Sequence, residues 1–497
     1  MPLRDHRILG AFNGQLAWTV SILMMSSFNF GMDNSVFAAT QAMPAFEKKF
    51  GSWNDELQRY EIAPYFLSLF NSLTYVGQVA GVILGGWIGR HYGRRRSVYA
   101  MCFWALLAAT LLITAQTKEQ MLVGRILNYV YIGQELVTVP VMQAEICPAH
   151  ARGFIVATYQ LGNMLGAFIG SLISYGTSSI DGEDSYRIPY ALFFIIPCIV
   201  LVGIYFSPES PRWLLVHDRQ DDALQSLRKY RNGRFTEESV LSEYDTQVAL
   251  VSATYERGKF KEMWQGINMK RSLISVGTNF WAQATGQSFT AKYGTVFLQD
   301  VGALGPLALQ CINTAVFIVV VMVAMYFLDK AGRRPLLLTG TFLQFSSFLV
   351  MGCLGTKANP SHSYKVGISA MLTINYSGFC FGWGPIYHII TSEIPSNRMR
   401  DITYTCASIV NVVTQFAVTF TIPYLLYAPY ANLGPKLGFI YGALAACALV
   451  FAFFIPECRN LSLEEIDHLF MEKTPVLQFG KRKHGEILIE ETVTVKS

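Results

Sequence analysis

The chain carries three short charged motifs twice, in the same order, and between them lie apolar stretches long enough to cross a bilayer. The motifs are Gly-Arg-Arg at 93–95 and 332–334, Glu-Ile at 145–146 and 393–394, and Pro-Glu at 208–209 and 456–457. The second copies follow the first by about 240 to 250 residues. Internal repeats in a membrane-spanning chain are typical of transporters whose site lies between the two halves. We therefore predict a duplicated membrane domain with charged clusters at its cytosolic turns.

Composition excludes an ordinary soluble protein. Of the 497 residues, 52% are hydrophobic and 15% are charged, whereas soluble domains contain about 25% charged residues. The net charge of +5 does not indicate nucleic-acid binding, because the basic residues lie at turns that flank the apolar runs. The nine cysteines show neither metal-ligand spacing nor a disulfide framework. No metal and no cofactor are therefore expected.

The apolar runs predict an all-α membrane protein with twelve transmembrane helices, six in each half. Runs of about 20 residues span the hydrocarbon core as helices. The predicted spans are 16–38, 61–89, 97–116, 120–145, 154–177, 188–207, 271–299, 306–328, 336–355, 366–391, 403–428 and 435–456. No cleavage site of small residues follows the first run, so we expect a retained first span and not a removed signal peptide.

The segments outside the spans predict the domain boundaries and the orientation. We expect an N-terminal six-helix half at 1–207, cytosolic linker helices at 208–270, a C-terminal six-helix half at 271–456 and a cytosolic tail at 457–497. Within the linker, 221–230 and 237–257 are typical of short amphipathic helices. With both termini inside, cytosolic segments hold 29 of the 39 Lys and Arg residues, counting Arg271 at the first position of the seventh span, and external loops hold eight. Cytosolic loops carry the positive excess, so both termini are predicted to be cytosolic.

Further motifs lie near the ends of the spans. They are Gly-Arg at 124–125, Pro140 to Glu145 with Pro148 and Arg152-Gly153, Pro-Glu-Ser-Pro-Arg-Trp at 208–213, Asp-Lys-Ala-Gly-Arg-Arg at 329–334, and Gly382 to Pro385. Together and in this order they resemble the sugar porter family of the major facilitator superfamily, over nearly the whole chain. Glu-Ile-Pro-Ser at 393–396 is most similar to fungal proton-coupled sugar permeases. The resemblance implies the major facilitator fold.

Asp33 lies in the middle of the first predicted span, where an ionised carboxylate costs several kcal/mol unless it is paired. Arg125, near the start of the fourth span, is the candidate partner, and the resemblance implies that these two positions hold the proton-coupling pair. Beside Arg125 the carboxylate stays ionised, and without that partner burial favours the protonated form. Alternation between the two forms would couple proton movement to transport. The alternative is a fixed structural ion pair.

Amides and aromatic rings suit a neutral polyol, since a sugar offers neither charge nor a large apolar surface. The resemblance implies sugar-binding amides in the fifth, seventh and eleventh spans, and the tenth span adds ring surface. The predicted substrate-binding residues are Gln160, Gln283, Gln287, Ser288, Phe379, His388 and Asn411, with Trp383 as a further ring. For each amide the alternative is a hydrogen bond between helices, which is common in membrane proteins.

Charged residues at the predicted cytosolic turns are interpreted as inter-helix salt bridges. Such bridges would close the inner side while the site faces outward and would break when it opens. The same charges could instead serve only to fix the orientation of the spans in the membrane, and both roles can hold at once. The predicted gate residues are Arg94, Arg95, Glu145, Arg152, Glu209, Arg212, Asp329, Arg333, Arg334, Glu393 and Arg400.

Several positions depart from the family pattern. Arg90 stands where the family usually has Asp or Asn, and His388 stands where many hexose carriers have Trp. The smaller ring, together with Ala282 in place of Gln, favours a disaccharide or a derivatised sugar over a bare hexose. Lys292 in the seventh span either attracts a sugar acid or pairs locally. Glu135 in the fourth span is either a second protonatable group or part of helix packing.

The sequence thus predicts a proton-coupled symporter that imports a mono- or disaccharide by alternating access. Its predicted partners are the sugar, the proton and the lipid bilayer, with no nucleic acid, and we expect a functional monomer in the plasma membrane. The alternatives are a facilitative sugar or sugar-acid carrier and a sugar sensor that does not transport. Sensors of this family usually have long cytosolic tails, whereas about 40 residues follow the last predicted span. Without a nucleophile or phosphate-loop motif, no enzyme activity is expected.

Overall fold

The structure is a computed structural model that describes residues 13–55, 59–148, 152–253, 260–302, 305–357, 361–396, 398–428, 430–459, 463–472 and 474–481. The chain divides into two compact units, Met1–Glu256 and Arg257–Ser497. Each unit contains helices over six of the predicted spans and has its own buried core.

In the first unit every predicted span is helical. Its elements are α1 (Gly14–Thr40), α2 (Pro44–Phe50), β1 (Ser52–Asn54), β2 (Arg59–Glu61), α3 (Pro64–Ser72), α4 (Thr74–His91), α5 (Arg94–Ile113), α6 (Lys118–Ile146), α7 (Arg152–Thr177), α8 (Asp184–Ala191), α9 (Ile195–Tyr205), α10 (Pro211–Val216), α11 (Gln220–Arg231) and α12 (Glu237–Ala253). The second and sixth spans are each made of two consecutive helices, α3 with α4 and α8 with α9. The antiparallel β1–β2 hairpin, with Trp53 opposite Tyr60, was not predicted, since three-residue strands give no alternation signal.

The predicted linker helices correspond to α11 and α12, and residues 254–257 of the second lie outside the described residues. Arg231 joins this region to the end of α6. It is 1% exposed, donates to the backbone oxygen of Ile146 (2.9 Å) and pairs with Glu243 (2.8 Å). One buried cation thus fixes the position of the linker within the first unit.

In the second unit the spans are again helical. Its elements are α13 (Gly266–Ala284), a π-helical turn (Phe289–Tyr293), α14 (Gly294–Val301), α15 (Pro306–Ala331), α16 (Arg333–Leu354), α17 (His362–Phe381), α18 (Trp383–Glu393), α19 (Arg400–Leu426), α20 (Leu437–Phe453) and α21 (Leu463–Met471). The seventh span consists of α13, the π turn and α14, and the tenth consists of α17 and α18.

Helices at equivalent places in the two halves pack in the same pairs. In the first unit α1 packs on α7, and α6 packs on both α4 and α5. In the second unit α13 packs on α19, and α17 packs on both α15 and α16. The two copies of the sequence repeat therefore pack their helices in the same pattern, each within its own unit.

Seven described helical segments are long and apolar enough to cross a membrane. They are Pro64–His91, Arg94–Ile113, Asp184–Tyr205, Pro306–Leu328, Arg333–Leu354, Ile402–Leu426 and Gly434–Phe453. The other five predicted spans are helical too, and they carry most of the polar side chains predicted for the site. A span that holds polar residues for a ligand is less apolar than one that only faces lipid.

The two Gly-Arg-Arg motifs begin equivalent helices, α5 and α16. Gly93 has φ +102° and Gly332 has φ +99°, conformations that favour glycine. The carboxylate of Glu209 in the first unit and of Glu457 in the second accepts from two backbone N–H groups of the helix start, at 2.9 and 3.1 Å in both units. An added Cβ at either glycine would collide with that carboxylate. The motif thus caps a helix with an acid from the end of another span.

Candidate functional site

Asp33 and Arg125 form an ion pair inside the first unit. Asp33 lies on α1, Arg125 lies on α6, and Arg125 Nη1 is 2.7 Å from Asp33 Oδ1. The side chains are 1% and 0% exposed. The guanidinium also lies over the ring of Phe37, 3.7 Å from its centroid, and 5.2 Å from the ring centroid of Tyr129. The two predicted partners therefore meet, while their role in proton coupling stays a prediction.

Burial makes this ion pair energetically demanding. Two charges taken out of water recover the lost hydration only through their mutual attraction and their hydrogen bonds. Asp33 Oδ2 and Arg125 Nε and Nη2 have no hydrogen-bond partner in the described part of the chain. A proton on Asp33 would remove one charge and release Arg125, so the pair has the chemistry of a switch.

Gln160 is the predicted sugar ligand of the first unit. It lies on α7, one position after buried Tyr159, and its side chain is half-buried. Its amide makes no hydrogen bond within the described residues. Both the donor and the acceptor of this amide are thus available to a ligand.

Four polar residues predicted for the site form one hydrogen-bonded group in the second unit, which we call the amide cluster: Gln283, Gln287, Ser288 and Asn411. Gln287 Nε2 donates to Gln283 Oε1 (2.8 Å), and Gln283 Nε2 donates to Asn411 Oδ1 (3.2 Å). Ser288 Oγ accepts from Gln287 Nε2 at 3.4 Å. All four side chains are buried. A chain of amides that donate and accept in turn can exchange these bonds for those of a polyol.

Two residues that were not predicted extend the amide cluster. Asn411 Nδ2 donates to the backbone oxygen of Asn279 (3.3 Å), and Asn279 Nδ2 donates to Thr391 Oγ1 (2.6 Å). Asn279 lies four residues before Gln283 on α13, and residues at that spacing share a helix face. This spacing was the signal that could have identified Asn279.

A break in the seventh span brings the amide cluster together. Helix α13 ends at Ala284, and Gly286 has φ +78°, which favours glycine. An added Cβ at Gly286 would collide with the ring of Tyr441. The chain then makes the π turn before α14, and π turns are frequent at functional sites. The seventh predicted span is therefore not one continuous helix.

The rings of the tenth span lie in different surroundings. Phe379 and Trp383 are buried, on either side of the one-residue break between α17 and α18. His388 is half-buried, and its Nδ1 lies 3.1 Å from the Tyr404 hydroxyl. Among the described residues no hydrogen bond joins His388 to the amide cluster. The partner of His388 is thus a tyrosine of α19.

At the predicted cytosolic end of the first unit, Arg94 and Glu145 form a bidentate ion pair. The distances are 2.8 Å from Nη2 to Oε1 and 3.0 Å from Nε to Oε2. Ser210 Oγ also donates to Glu145 Oε2 (2.6 Å). Burial raises the pKa of the neighbouring Glu209 carboxyl above its usual value. These contacts connect α5, α6 and the start of α10.

The second unit repeats this arrangement. Arg333 Nη2 lies 3.0 Å from Glu393 Oε1, and Glu457 caps α16 as Glu209 caps α5. Glu457 was not among the predicted gate residues, although the second Pro-Glu motif was the signal for it. The equivalent pairs Arg94–Glu145 and Arg333–Glu393 are therefore features of the repeat.

Other predicted gate residues have different surroundings. Arg95 Nη2 donates to a backbone oxygen at the end of α9 (2.9 Å), and the Arg334 guanidinium lies 4.6 Å from the centroid of a ring on α20. Arg212 is exposed and forms no ion pair within the described residues. Arg400 begins α19. The side chains that lie outside the described residues are those of Arg152 and Asp329.

Three charged residues had no single predicted role. Lys292 lies in the π turn and is 7% exposed. Arg90 is exposed near the end of α4, and its backbone oxygen accepts from Trp213 Nε1 (2.9 Å). Glu135 is fully buried on α6. Helix α6 therefore contains a fully buried acid in addition to Asp33 on α1.

Comparisons with known proteins agree over most of the chain. A family model described as "Sugar (and other) transporter" matches residues 19–470. The hexose transporter HXT10 of Saccharomyces cerevisiae is 26% identical over 483 residues, which cover 92% of this chain and 86% of the transporter. The high glucose sensor RGT2 of the same yeast is 26% identical over 458 residues, which cover 90% of this chain and 59% of the sensor.

Solved structures show the same fold. The proton:xylose symporter XylE of the major facilitator superfamily, from E. coli and bound to 6-bromo-6-deoxy-D-glucose, is similar with a TM-score of 0.76. Its sequence identity is 20%, and the match covers 92% of this chain and 100% of that chain. The predicted twelve-helix major facilitator fold is thus confirmed.

Proposed function

Because the chain belongs to the sugar transporter family of the major facilitator superfamily, we propose that it is a proton-coupled symporter that imports a mono- or disaccharide by alternating access. The observation that carries the proton coupling is the buried Asp33–Arg125 pair, 2.7 Å apart and at most 1% exposed. An acid that lies this deep and has one cation as its partner can bind and release a proton as that partner moves.

Protonation of Asp33 supplies the coupling step. A proton from the outer side neutralises the carboxylate and frees Arg125, and its release towards the cytosol restores the pair. One charge that moves through 100 mV supplies about 2.3 kcal/mol, and one pH unit adds about 1.36 kcal/mol. Together these support accumulation of several hundredfold per proton.

The uncommitted amide of Gln160 and the amide cluster support a polyhydroxylated substrate. Each internal hydrogen bond contributes only about 0.5 to 1.5 kcal/mol net, so a sugar hydroxyl that offers both a donor and an acceptor can replace it at little cost. A ligand without hydroxyls would leave the same buried amides unsatisfied, which costs about 1 to 3 kcal/mol for each group. This difference favours sugars over apolar solutes of the same size.

Alternating access requires contacts that hold one side closed and can break. The pairs Arg94–Glu145 and Arg333–Glu393 each join two helices within their own unit at the predicted cytosolic end. They are partly exposed, so water can reach them when the helices separate. We assign these pairs to the closed form of the inner side.

A non-transporting sugar sensor is the second candidate, since one relative is named a high glucose sensor. A sensor and a symporter share a sugar site and differ in the step after the sugar binds. A sensor binds sugar without net movement, and a facilitative carrier equilibrates it without accumulation. Accumulation driven by a pH gradient is found only in the symporter.

The test is uptake into proteoliposomes with a panel of labelled hexoses, disaccharides and sugar acids at two external pH values. We expect at least one neutral sugar to accumulate when the outside is acidic. Asp33→Asn should abolish accumulation and keep sugar exchange, whereas the control Asp222→Asn, an exposed linker acid, should behave like the wild type. Full accumulation by Asp33→Asn would remove the coupling role, and entry of no sugar in the panel would remove the transport proposal.

A further inference from the structure

A row of buried polar side chains follows the contact between α1 and α6. Its members are spaced three or four residues apart on each helix, so each set lies along one helix face. They are Asp33, Asn29 and Ser26 on α1, and Arg125, Asn128 and Tyr131 on α6, all between 0% and 4% exposed.

Two contacts fix how the row is paired. Arg125 meets Asp33 at the outer end, and six residues further along α6 the hydroxyl of Tyr131 donates to the backbone oxygen of Ser26 (2.9 Å) and lies 3.1 Å from Ser26 Oγ. As the numbers rise on α6, they fall on α1. The row therefore runs from the ion pair towards the predicted cytosolic end.

Glu135 continues the row by one helical turn beyond Tyr131. It is 0% exposed, and no Lys, Arg or His in the described part of the chain lies within ion-pair distance of its carboxyl group. An ionised carboxylate in that setting costs several kcal/mol, and the neutral form is favoured instead. Within the described residues Asp33 therefore has a cation as its partner and Glu135 has none.

We propose that Glu135 is a second proton-binding residue, which receives the proton that leaves Asp33 along this row and releases it on the predicted cytosolic side. The inference rests on the proposed symport. Ten residues separate Arg125 from Glu135, and ten more separate Glu135 from Glu145. Each interval is about 15 Å along α6. Glu135 therefore lies midway between the coupling pair and the gate pair.

The proton and charge balance of the transfer is simple. Protonated Asp33 loses H⁺, becomes a carboxylate and re-forms its ion pair with Arg125. The ionised carboxylate of Glu135 takes up H⁺, becomes neutral and later releases it to water. The hydroxyls of Ser26 and Tyr131 lie between the two acids, and each can donate one proton while it accepts another. The described geometry, with Asp33 paired to Arg125 and no cation beside Glu135, corresponds to the state after transfer.

The groups that surround Glu135 do not compete for this role. The titratable neighbours are Tyr131 on its own helix, Tyr159 on α7 and Cys102 on α5, next to Tyr131. The sequences of α1 and α4 contain no charged residue at this level, and α3 and α10 lie near the ends of α6. The nearest cation of α5, Arg94, belongs to the gate pair. Any protonated carboxyl found at this level is therefore that of Glu135.

Infrared difference spectroscopy of the purified full-length protein tests the assignment directly. We expect the wild type to show the C=O stretching band of a protonated carboxyl, and this band should weaken when the pH is raised or a transported sugar is added. Glu135→Gln should abolish the band, and Glu135→Asp should retain a shifted one. The control Glu183→Gln, which removes an acid paired with Lys49 near the start of α8, should leave it unchanged. A wild type without the band, or with a band that responds to neither pH nor sugar, would overturn the proposal.

Transport separates this proposal from the proposed function. In proteoliposomes with a pH gradient, Glu135→Gln should reduce the rate of concentrative uptake by about tenfold or more and keep sugar exchange, while Glu135→Asp restores uptake. If Asp33→Asn loses accumulation but Glu135→Gln matches the wild type at every pH, Glu135 carries no proton and symport stands. If Asp33→Asn still accumulates sugar, Asp33 is not the coupling acid, and the infrared response of Glu135 to pH still decides whether Glu135 exchanges a proton.

Discussion

Removal of one partner of the Asp33–Arg125 pair should destabilise the first unit, and removal of both charges should restore much of that stability. The two side chains are at most 1% exposed and 2.7 Å apart, so loss of one leaves the other buried without its ionic partner. Loss of one member of a buried pair costs about 3 to 5 kcal/mol, whereas replacement of both by uncharged residues is often neutral. We expect Asp33→Asn and Arg125→Gln each to lose that much free energy of unfolding, and the variant that carries both substitutions to lose less.

Acidity should distinguish the two single variants. Arg125→Gln leaves Asp33 as an unpaired buried acid, which becomes neutral when it binds a proton, so this variant should regain stability as the pH falls. Asp33→Asn leaves the guanidinium of Arg125, which keeps its charge at every accessible pH. This variant should show no recovery in acid.

The assay is thermal unfolding of the purified protein at acidic and alkaline pH, for the wild type, both single variants and the double variant. Arg219→Gln is the matched control, because it removes a cation from an exposed ion pair of the linker and should change stability by less than about 1 kcal/mol. Equal stability of all four proteins would refute the reasoning. So would a double variant that loses the sum of both single effects.

The amides, the capped helix start and the buried lysine give further expected outcomes. Gln160→Ala should raise the apparent KM for sugar by about threefold to tenfold, the value of one hydrogen bond, and unchanged uptake kinetics would count against a ligand role. Gly332→Ala should lower thermal stability by about 1 to 3 kcal/mol, because φ is +99° and the new Cβ meets Glu457; a stable variant would contradict the cap. Lys292→Met should reduce uptake of sugar acids more than uptake of neutral sugars if the lysine attracts a carboxylate, and equal effects on both would end that idea.

The fold was predictable because a bilayer imposes its own length scale. A helix must bridge about 30 Å of hydrocarbon, so the charged residues on either side of an apolar run indicate where the helix begins and ends. The fourth span was predicted at 120–145 and is Lys118–Ile146, and the eighth was predicted at 306–328 and is Pro306–Ala331. The ends differ by at most three residues, since polar residues can continue a helix beyond the apolar core.

The ion pair was predictable for a related reason. A carboxylate and a guanidinium in apolar spans have few possible partners, so the presence of Asp33 and Arg125 predicts that the two form an ion pair. The amide cluster was predicted only through family resemblance, because Gln and Asn occur in membrane helices for several reasons. Their hydrogen bonds depend on the break at Gly286 and the π turn. A single glycine did not indicate that geometry.

Contacts between distant segments were not predictable. Arg271 is 3% exposed, donates to the backbone oxygen of Ile394 (2.7 Å) and pairs with Asp467. These partners are 123 and 196 residues away in the sequence. Arg95 shows the same limit, since an inter-helix salt bridge was predicted for it and its side chain donates to a backbone oxygen. The direction of a long side chain at a helix start depends on packing that no local pattern encodes.

Sugar-induced proton movement tests the central proposal most directly. Proteoliposomes without a membrane potential, in a weakly buffered medium that contains a pH indicator, receive a pulse of a transported sugar. We expect the external medium to become transiently alkaline as each sugar carries a proton inward, and Asp33→Asn to lose that signal while it still exchanges sugar. Entry of the sugar into wild-type vesicles without any pH change would contradict proton coupling.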